Sequence, residues 1–284
     1  MNAVTRPALR YHGGKFRLAP WIQQFFPPHG CYVEPFGGAA GVLLRKPRVY
    51  AEVYNDLDGD IVNFFRVVRD PTLRADLIEA CRLTPYAREE FDQAYLPTDD
   101  PLERARRTAI RAAMGFGSAG ATKATTGFRT DTRRKYGTAQ HNWADYPGAL
   151  GAIGERFSGV LIENRGAIEV MQSHDGFDTL HFVDPPYVHE TRHMRNKGGY
   201  RHELDDAGHA DLIAALRDLQ GMVVLCGYDS EVYAPLKDWE KHATIARISG
   251  GRGTSLRTEV VWLNPACSDG LQRACGGLFA EHAR

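Results

Sequence analysis

The sequence predicts an α/β fold with an inserted, mainly helical domain. Three observations carry this. Short apolar runs that end in turn residues alternate with helix-period segments over the first seventy positions. That alternation lapses between 71 and 150, and it resumes from about 160 onward. The expected organisation is one discontinuous domain, 1–70 with 151–284, and a separate insert at 71–150. A chain of 284 residues buries a sizeable core without disulfide or metal staples.

Composition narrows the setting. The five cysteines, Cys31, Cys81, Cys226, Cys267 and Cys275, are scattered without Cys-x-x-Cys spacing, so neither a disulfide framework nor a zinc site is expected. This fits a reducing cytoplasm. No apolar run approaches a membrane span, and the N-terminus lacks a signal-peptide core, so no membrane partner is expected. Lys plus Arg and Asp plus Glu number 35 each, but a net charge of zero averages over faces of opposite sign.

The first element is Tyr11-His12-Gly13-Gly14-Lys15, a glycine pair between an aromatic ring and a lysine. Lys15 could reach a ligand, although the spacing is not that of a phosphate-binding loop and a solvated lysine is the plain alternative. Pro20 then opens an amphipathic helix with Ile22, Phe25 and Phe26 on one side. A strand over 31–36 runs into Gly37-Gly38-Ala39-Ala40-Gly41 and a helical run at Val42-Leu43-Leu44. Strand, small-residue turn and helix let a ligand approach bare backbone. A second strand, 49–55, ends at Asp56, eighteen positions after Gly38, where an acid commonly holds a ribose. Asp56 would equally serve as N-cap of the helix expected at 58–69.

The insert reads as helices at 73–82, 88–95 and 102–114, followed by a loop-rich tract. Between 104 and 135 nine Lys or Arg face one acid, Asp131. Basic side chains neutralise phosphates, and the neighbouring Gln140, Asn142 and arginines suit base edges, whereas a solvated face is the plain reading of any charge run.

Alternation returns with a strand at 160–164, a helix at 167–172 and the strand Leu180-His181-Phe182-Val183. The last leads into Asp184-Pro185-Pro186-Tyr187. A carboxylate beside an aromatic ring in a rigid turn suits a planar amine, though a Pro-rich turn can also simply end a sheet. The following segment carries Arg192, Arg195, Lys197, Arg201 and the histidines His189, His193 and His202 around Gly198-Gly199, which reads as a lid or strand-contacting loop rather than a metal array. A helix at 206–219, a strand at 222–226, and strands at 243–248 and 258–263 about a turn at 250–253 complete the pattern. The tail after Pro265 is expected to be poorly ordered.

Together these pieces resemble the Dam-type (alpha-group, DPPY) N6-adenine-specific DNA methyltransferases. The resemblance covers most of the chain and rests on the Tyr11 to Lys15 motif, Glu34-Pro35-Phe36-Gly37-Gly38, Asn55-Asp56, and Asp184 to Tyr187, in that order. Thr258 to Pro265 looks like the family's closing strand, with Glu259, Trp262, Asn264 and Pro265 in place. One departure stands out, since Ala40 occupies the second glycine of Phe-x-Gly-x-Gly.

The resemblance implies a Rossmann-like S-adenosylmethionine-dependent methyltransferase core with an inserted target-recognition domain, and methyl transfer to the exocyclic N6 of a flipped-out adenine in duplex DNA. It implies S-adenosyl-L-methionine as cofactor, S-adenosyl-L-homocysteine as product, and no metal. Asp184, Pro185, Pro186 and Tyr187 would be catalytic. Tyr11, Gly14, Lys15, Glu34, Phe36, Gly37, Gly38, Asp56, Asn164 and Asp184 would hold the cofactor. Arg111, Lys123, Arg129, Arg133, Arg134, Lys135, Arg192, Arg195 and Lys197 would meet DNA. A monomer in the cytoplasm, bacterial or phage-encoded, is expected, with a companion restriction nuclease left open. The alternatives are an amino-methyltransferase acting on RNA, cytosine N4 or protein glutamine, a catalytically silent DNA-binding relative, and a dinucleotide oxidoreductase. Asp at 184, where the first group more often carries Asn or Ser, favours adenine.

Overall fold

The structure is a computed structural model and describes residues 3–118, 120–121, 125–130, 132, 137–188, 200–250 and 253–280, with backbone alone at 247–250, 253–255 and 276–280. Five parallel strands form its centre: β1 Cys31–Glu34, β2 Ala51–Asn55, β3 Leu161–Glu163, β4 Thr179–Val183 and β5 Met222–Gly227. A hairpin of β6 Glu240–Gly250 and β7 Gly253–Leu263 completes a sheet of order β3-β2-β1-β4-β5-β7-β6, β7 lying antiparallel to β5. Strands β4 and β5 are buried at every position, as expected of parallel strands covered on both faces.

The chain moves outward from β1 through β2 to β3, then returns to the other side of β1 with β4. At that reversal the loops after β1 and β4 diverge and leave a crevice at the carboxyl edge. Val33 pairs with His181, so Pro35 to Gly38 and Asp184 to Tyr187 emerge side by side.

Helix α1 Ala19–Ile22 continues as a 3-10 turn, Gln23–Phe25. Helix α2 Gly59–Arg69 buries Ile61, Phe64, Phe65 and Val68 against the sheet. Helices α3 Pro71–Leu83 and α5 Pro101–Met114 each start with proline behind an aspartate, Asp70 or Asp100, that accepts from the first turn. Between them lies α4 Arg88–Gln93. Beyond come α6 Ala139–Ala144, α7 Tyr146–Phe157, α8 Ala167–Ser173, α9 Asp206–Asp218 and α10 Pro265–Ala280.

Leu77, Phe91 and Ile110, from the stretch expected as an insert, share one buried cluster with Tyr32 and Tyr54 of the sheet. Helix α7 straddles the boundary expected at 150/151, and its Phe157 stacks on Phe65 of α2 at 4.2 Å and 13°. Its glycines gave it the look of a loop, yet Gly154 has a packing reason: a Cβ there would lie 2.2 Å from the Val68 carbonyl oxygen.

Two further expectations are corrected. The helical run at Val42-Leu43-Leu44 forms turns, and just before it Gly38 at φ 47° and Ala40 at φ 53° lie in the left-handed region, so no regular helix runs in from the strand end. Ala40 thus takes a left-handed backbone of the kind glycine adopts most readily, at a cost of roughly 1–2 kcal/mol. The tail is helix, α10, from Pro265 to Ala280 among the described residues. The Asn264 side chain accepts from Cys267 N at 3.0 Å, and Cys267, fully buried, donates its thiol to the Phe25 carbonyl. No helix is long and apolar enough to cross a membrane among the described residues.

Candidate active site

The crevice between β1 and β4 opens into a cleft whose empty space, counting the part open to solvent, is about 850 Å³. Among the proposed cofactor residues, Tyr11, Gly14, Lys15, Glu34, Phe36, Gly37, Gly38, Asp56 and Asp184 all line it. Asn164 stands behind the wall and donates its amide to the Asp56 backbone carbonyl at 2.6 Å. Among the described residues no group of three or more His, Cys, Asp or Glu is arranged to hold a metal.

Asp56 and Asp58 divide the two roles that the sequence left open for Asp56. Asp58 is the N-cap of α2 and accepts from Asp60 N at 3.0 Å. Asp56 accepts from Gly38 N at 2.8 Å and Asp58 N at 2.7 Å, fixing the turn after β1 to the end of β2 and leaving a carboxylate on the cleft wall. Burial pushes its pKa up to about 6 against the two N–H donors. The glycines at 37 and 38 have a reason the sequence did not show. A Cβ at Gly37 would meet the Tyr54 ring at 2.2 Å, and one at Gly38 the Tyr11 ring at 2.7 Å. They admit aromatic walls as well as bare backbone.

Deeper in the cleft, Lys15 Nζ lies 2.9 Å from Asp184 Oδ1, donates to the Gly13 carbonyl at 2.9 Å, and sits 4.7 Å from the Tyr187 ring centre. Burial would lower the lysine's pKa, but Asp184 and then Glu259 reverse that and hold it raised. Burial raises Asp184, and the lysine opposes the shift. On the floor Glu34 accepts from the Tyr32 hydroxyl at 2.7 Å and Leu43 N at 3.0 Å, and burial lifts it to about 8.

Tyr187 is buried and donates its hydroxyl to Glu259 Oε2 at 2.9 Å. Tyr228, just past β5, meets the Tyr187 ring edge-on at 4.5 Å and 73°. The sequence had placed Glu259 in a closing strand without a role and passed over Tyr228. Both were legible only through strand pairing, since β7 runs back beside β5 and brings Glu259 over the end of the sheet.

Segment 200–204 closes the outer side of the cleft. Tyr200 donates to the His12 carbonyl at 3.4 Å, and Arg201 reaches Asp58 at 3.1 Å and Asp60 at 2.9 Å. Asp60 also takes Arg104 at 2.5 Å and Arg111 at 2.9 Å. Against its own burial, these arginines hold the Asp60 carboxyl down at about 2.

That acid changes the picture of the basic tract. Arg111 was expected at DNA, yet its side chain is only 12% exposed and committed to Asp60 and to the Ala94 carbonyl. Arg106 pairs with Glu90 and Glu103, and Arg107 with Glu103. The acids that neutralise these arginines sit upstream of the stretch in which charge was counted. Arg129 is partly exposed behind the bridge between Gly115 and Phe128. Lys123, Arg133, Arg134, Lys135, Arg192, Arg195 and Lys197 lie outside the described residues.

A parallel sheet with a reversed, antiparallel last pair, a cleft at the reversal, and an acid at the end of the second strand define a Rossmann-like methyltransferase fold. A model of the family described as D12 class N6 adenine-specific DNA methyltransferase matches residues 11–248, and the chain belongs to that family. It is 38% identical over 65 residues to a DNA adenine methylase of Haemophilus influenzae, a stretch that is 22% of each chain. It is 34% identical over 95 residues to one of Serratia marcescens, covering 32% of this chain and 33% of the relative. The chain therefore matches a fifth to a third of the length of these curated relatives.

Proposed function

We propose that the protein transfers a methyl group from S-adenosylmethionine to the exocyclic N6 of an adenine flipped out of duplex DNA. The observation that carries this is Asp184, a buried carboxylate paired to Lys15 beside the Tyr187 ring, at the inner end of a cleft whose opposite wall bears Asp56. The lining, with a carboxylate at Asp56, bare backbone at Gly37 and Gly38 and the rings of Tyr11 and Phe36, suits the cofactor. Asp56 would take the ribose hydroxyls, the aromatic and glycine walls the adenosyl and methionine parts. The bound cofactor supplies an electrophilic methyl on a sulfonium.

Adenine's amino lone pair is delocalised into the ring, so the protein's task is geometric and electrostatic. Asp184 is ion-paired to Lys15 through Oδ1, and its carboxylate would accept one N6–H while the Pro185 carbonyl takes the other. The nitrogen is thereby drawn towards tetrahedral geometry, with its lone pair aimed into the cleft. Asp184 then stabilises positive charge growing on that nitrogen as the N–CH3 bond forms and the methyl–sulfur bond breaks to leave a neutral thioether, and the surplus N6 proton would pass by way of this carboxylate to solvent, within a site where burial strengthens every such interaction. Pro186 lines the cleft and stiffens the turn, and Tyr187 offers a stacking face. Because a duplex hides N6, the base must leave the stack.

Duplex DNA is then the polymer partner, and a bacterial or phage-encoded cytoplasmic monomer the setting in which this reading places the chain. Arg129 with Lys123, Arg133, Arg134 and Lys135, and the loop bearing Arg192, Arg195 and Lys197, are the proposed contacts to DNA. Methylome sequencing of cells expressing the protein tests the whole reading. A single sequence context carrying N6-methyladenine is expected, and no modified adenine above background would overturn it.

A further inference from the structure

The hairpin of β6 and β7 is longer than the sheet needs. Strand β5 ends at Gly227, opposite Val260, yet the β6–β7 ladder continues from Thr244 and Glu259 out to Gly250 and Gly253. Those seven further rungs make an arm of roughly 23 Å at about 3.3 Å per residue. Because β7 runs antiparallel to β5, the arm leaves from the carboxyl edge of the sheet, the edge that carries Asp184.

Its chemistry is one-sided. From 244 to 258 the sequence has three arginines, Arg247, Arg252 and Arg257, and no acid. Side chains alternate along a strand, so Arg257 shares a face with Glu259. Glu259 holds the Tyr187 hydroxyl, and one step further out Arg257 lies 5.5 Å from the centre of the Tyr228 ring, which itself meets Tyr187. Lys15, Tyr187, Tyr228 and Arg257 form a file from the buried carboxylate to the surface.

We propose that this face of the arm is a nucleic-acid contact, in which Arg257, backed by Tyr228, holds a backbone phosphate beside the target nucleotide. The inference rests on the methyltransferase reading. A base with its amino group at Asp184 and its ring at Tyr187 directs its sugar and phosphates outward, and the file just described ends in a guanidinium suited to a phosphate. Tyr228 stiffens that guanidinium by stacking.

The test uses the full chain and sheared duplex DNA from a bacterial strain lacking adenine methylation. Arg257→Gln should weaken binding and lower the slope of log affinity against log salt by about one, with S-adenosylmethionine affinity unchanged. Arg257→Lys should restore the slope. A variant of parental thermal stability whose slope and affinity match the parent would overturn the proposal. A measurement without a variant covers the case of misfolding. DNA should protect the Arg257 peptide from phenylglyoxal in the parent, and equal modification with and without DNA would overturn the proposal too. If the parent methylates DNA while Arg257 proves indifferent, the arm alone is refuted; a parent that neither binds nor methylates DNA refutes the function on which it rests.

Discussion

Lys15 Nζ and Asp184 Oδ1 meet at 2.9 Å, joining the turn before α1 to the end of β4 beneath the cleft. The ion pair holds the carboxylate in place on the lining of the cleft. On this basis Asp184→Ala should abolish the acceptor for N6–H and its electrostatic support, lowering kcat by about a hundredfold or more. Cofactor affinity, measured by calorimetry, should fall far less than kcat. Methyl transfer at the parental rate would remove Asp184 from the mechanism.

Lys15→Met makes the converse prediction through pH. Burial raises the Asp184 pKa and Lys15 opposes that shift, so removing the ammonium should raise the carboxyl further. Protonated Asp184 keeps an acceptor oxygen but loses the negative charge that supports charge growing on the nitrogen. Activity is therefore lost as pH falls through its pKa, and the acid limb of the kcat/KM profile should move to higher pH in the variant. An acid limb that stays in place would show that the pair does not set it.

How much of this was legible depends on whether cause and effect lie close in the chain. The strand ends at Asn55 and Val183 follow from local patterning, and so does the proximity of Asp56 and Asp184 to one cleft once the strands are parallel, whereas β1 stops at Glu34, short of the 36 expected. The glycines at 37 and 38 were visible, but their partners Tyr54 and Tyr11 were not, because those contacts exist only after folding. The same holds for charge. Arg111 and Arg104 looked available in a nearly acid-free tract until α5 packed on α2 and brought Asp60 to them. Helix α10 escaped notice because its order comes from Cys267 buried in the core and not from its own weak helical pattern. Helix α7 escaped because Gly154, a helix weakener in isolation, is what permits its close approach to the Val68 carbonyl.

Asp56 and Asp58 are neighbours with separable duties. Asp56→Ala should weaken S-adenosylmethionine binding by roughly tenfold or more, as loss of a charged hydrogen bond costs about 1.5–3 kcal/mol. Asp58→Ala should instead cost about 1 kcal/mol of stability through the lost helix cap. Calorimetry and thermal melting on both variants separate them. Unchanged cofactor affinity in the Asp56 variant would return that residue to a purely structural role.

Glu34 gives a stability prediction with a definite sign. Its folded pKa of about 8 exceeds the ordinary carboxylate value of 4.5, so between those limits the folded state holds a proton that the unfolded state has released. The associated stability is present in full below the lower limit and is lost as pH rises through the upper one. Melting temperature should therefore fall from pH 5 to pH 8. Glu34→Gln, which keeps an acceptor for Tyr32 and Leu43 without a titrating proton, should flatten that part of the profile. An identical slope in the two proteins would assign the pH dependence elsewhere.

Glu259 acts on the reaction through Tyr187. Its carboxylate accepts the Tyr187 hydroxyl at 2.9 Å, and Tyr228, pushed up to about 12 by burial and by the Glu259 charge, closes the other side of the ring. With the hydroxyl anchored, the ring plane is fixed beside Asp184 before any base arrives. Glu259→Ala leaves that buried hydroxyl without its acceptor and lets the ring turn. Misplacement of about 1 Å costs up to about a hundredfold in rate, so kcat should fall while cofactor affinity holds. Glu259→Gln keeps an acceptor oxygen and should recover most of the loss. That recovery separates positioning from stability, because thermal melts of the two variants can be matched while their kcat values differ. Equal kcat in both variants would show that the hydrogen bond to Tyr187 does not orient the ring for transfer.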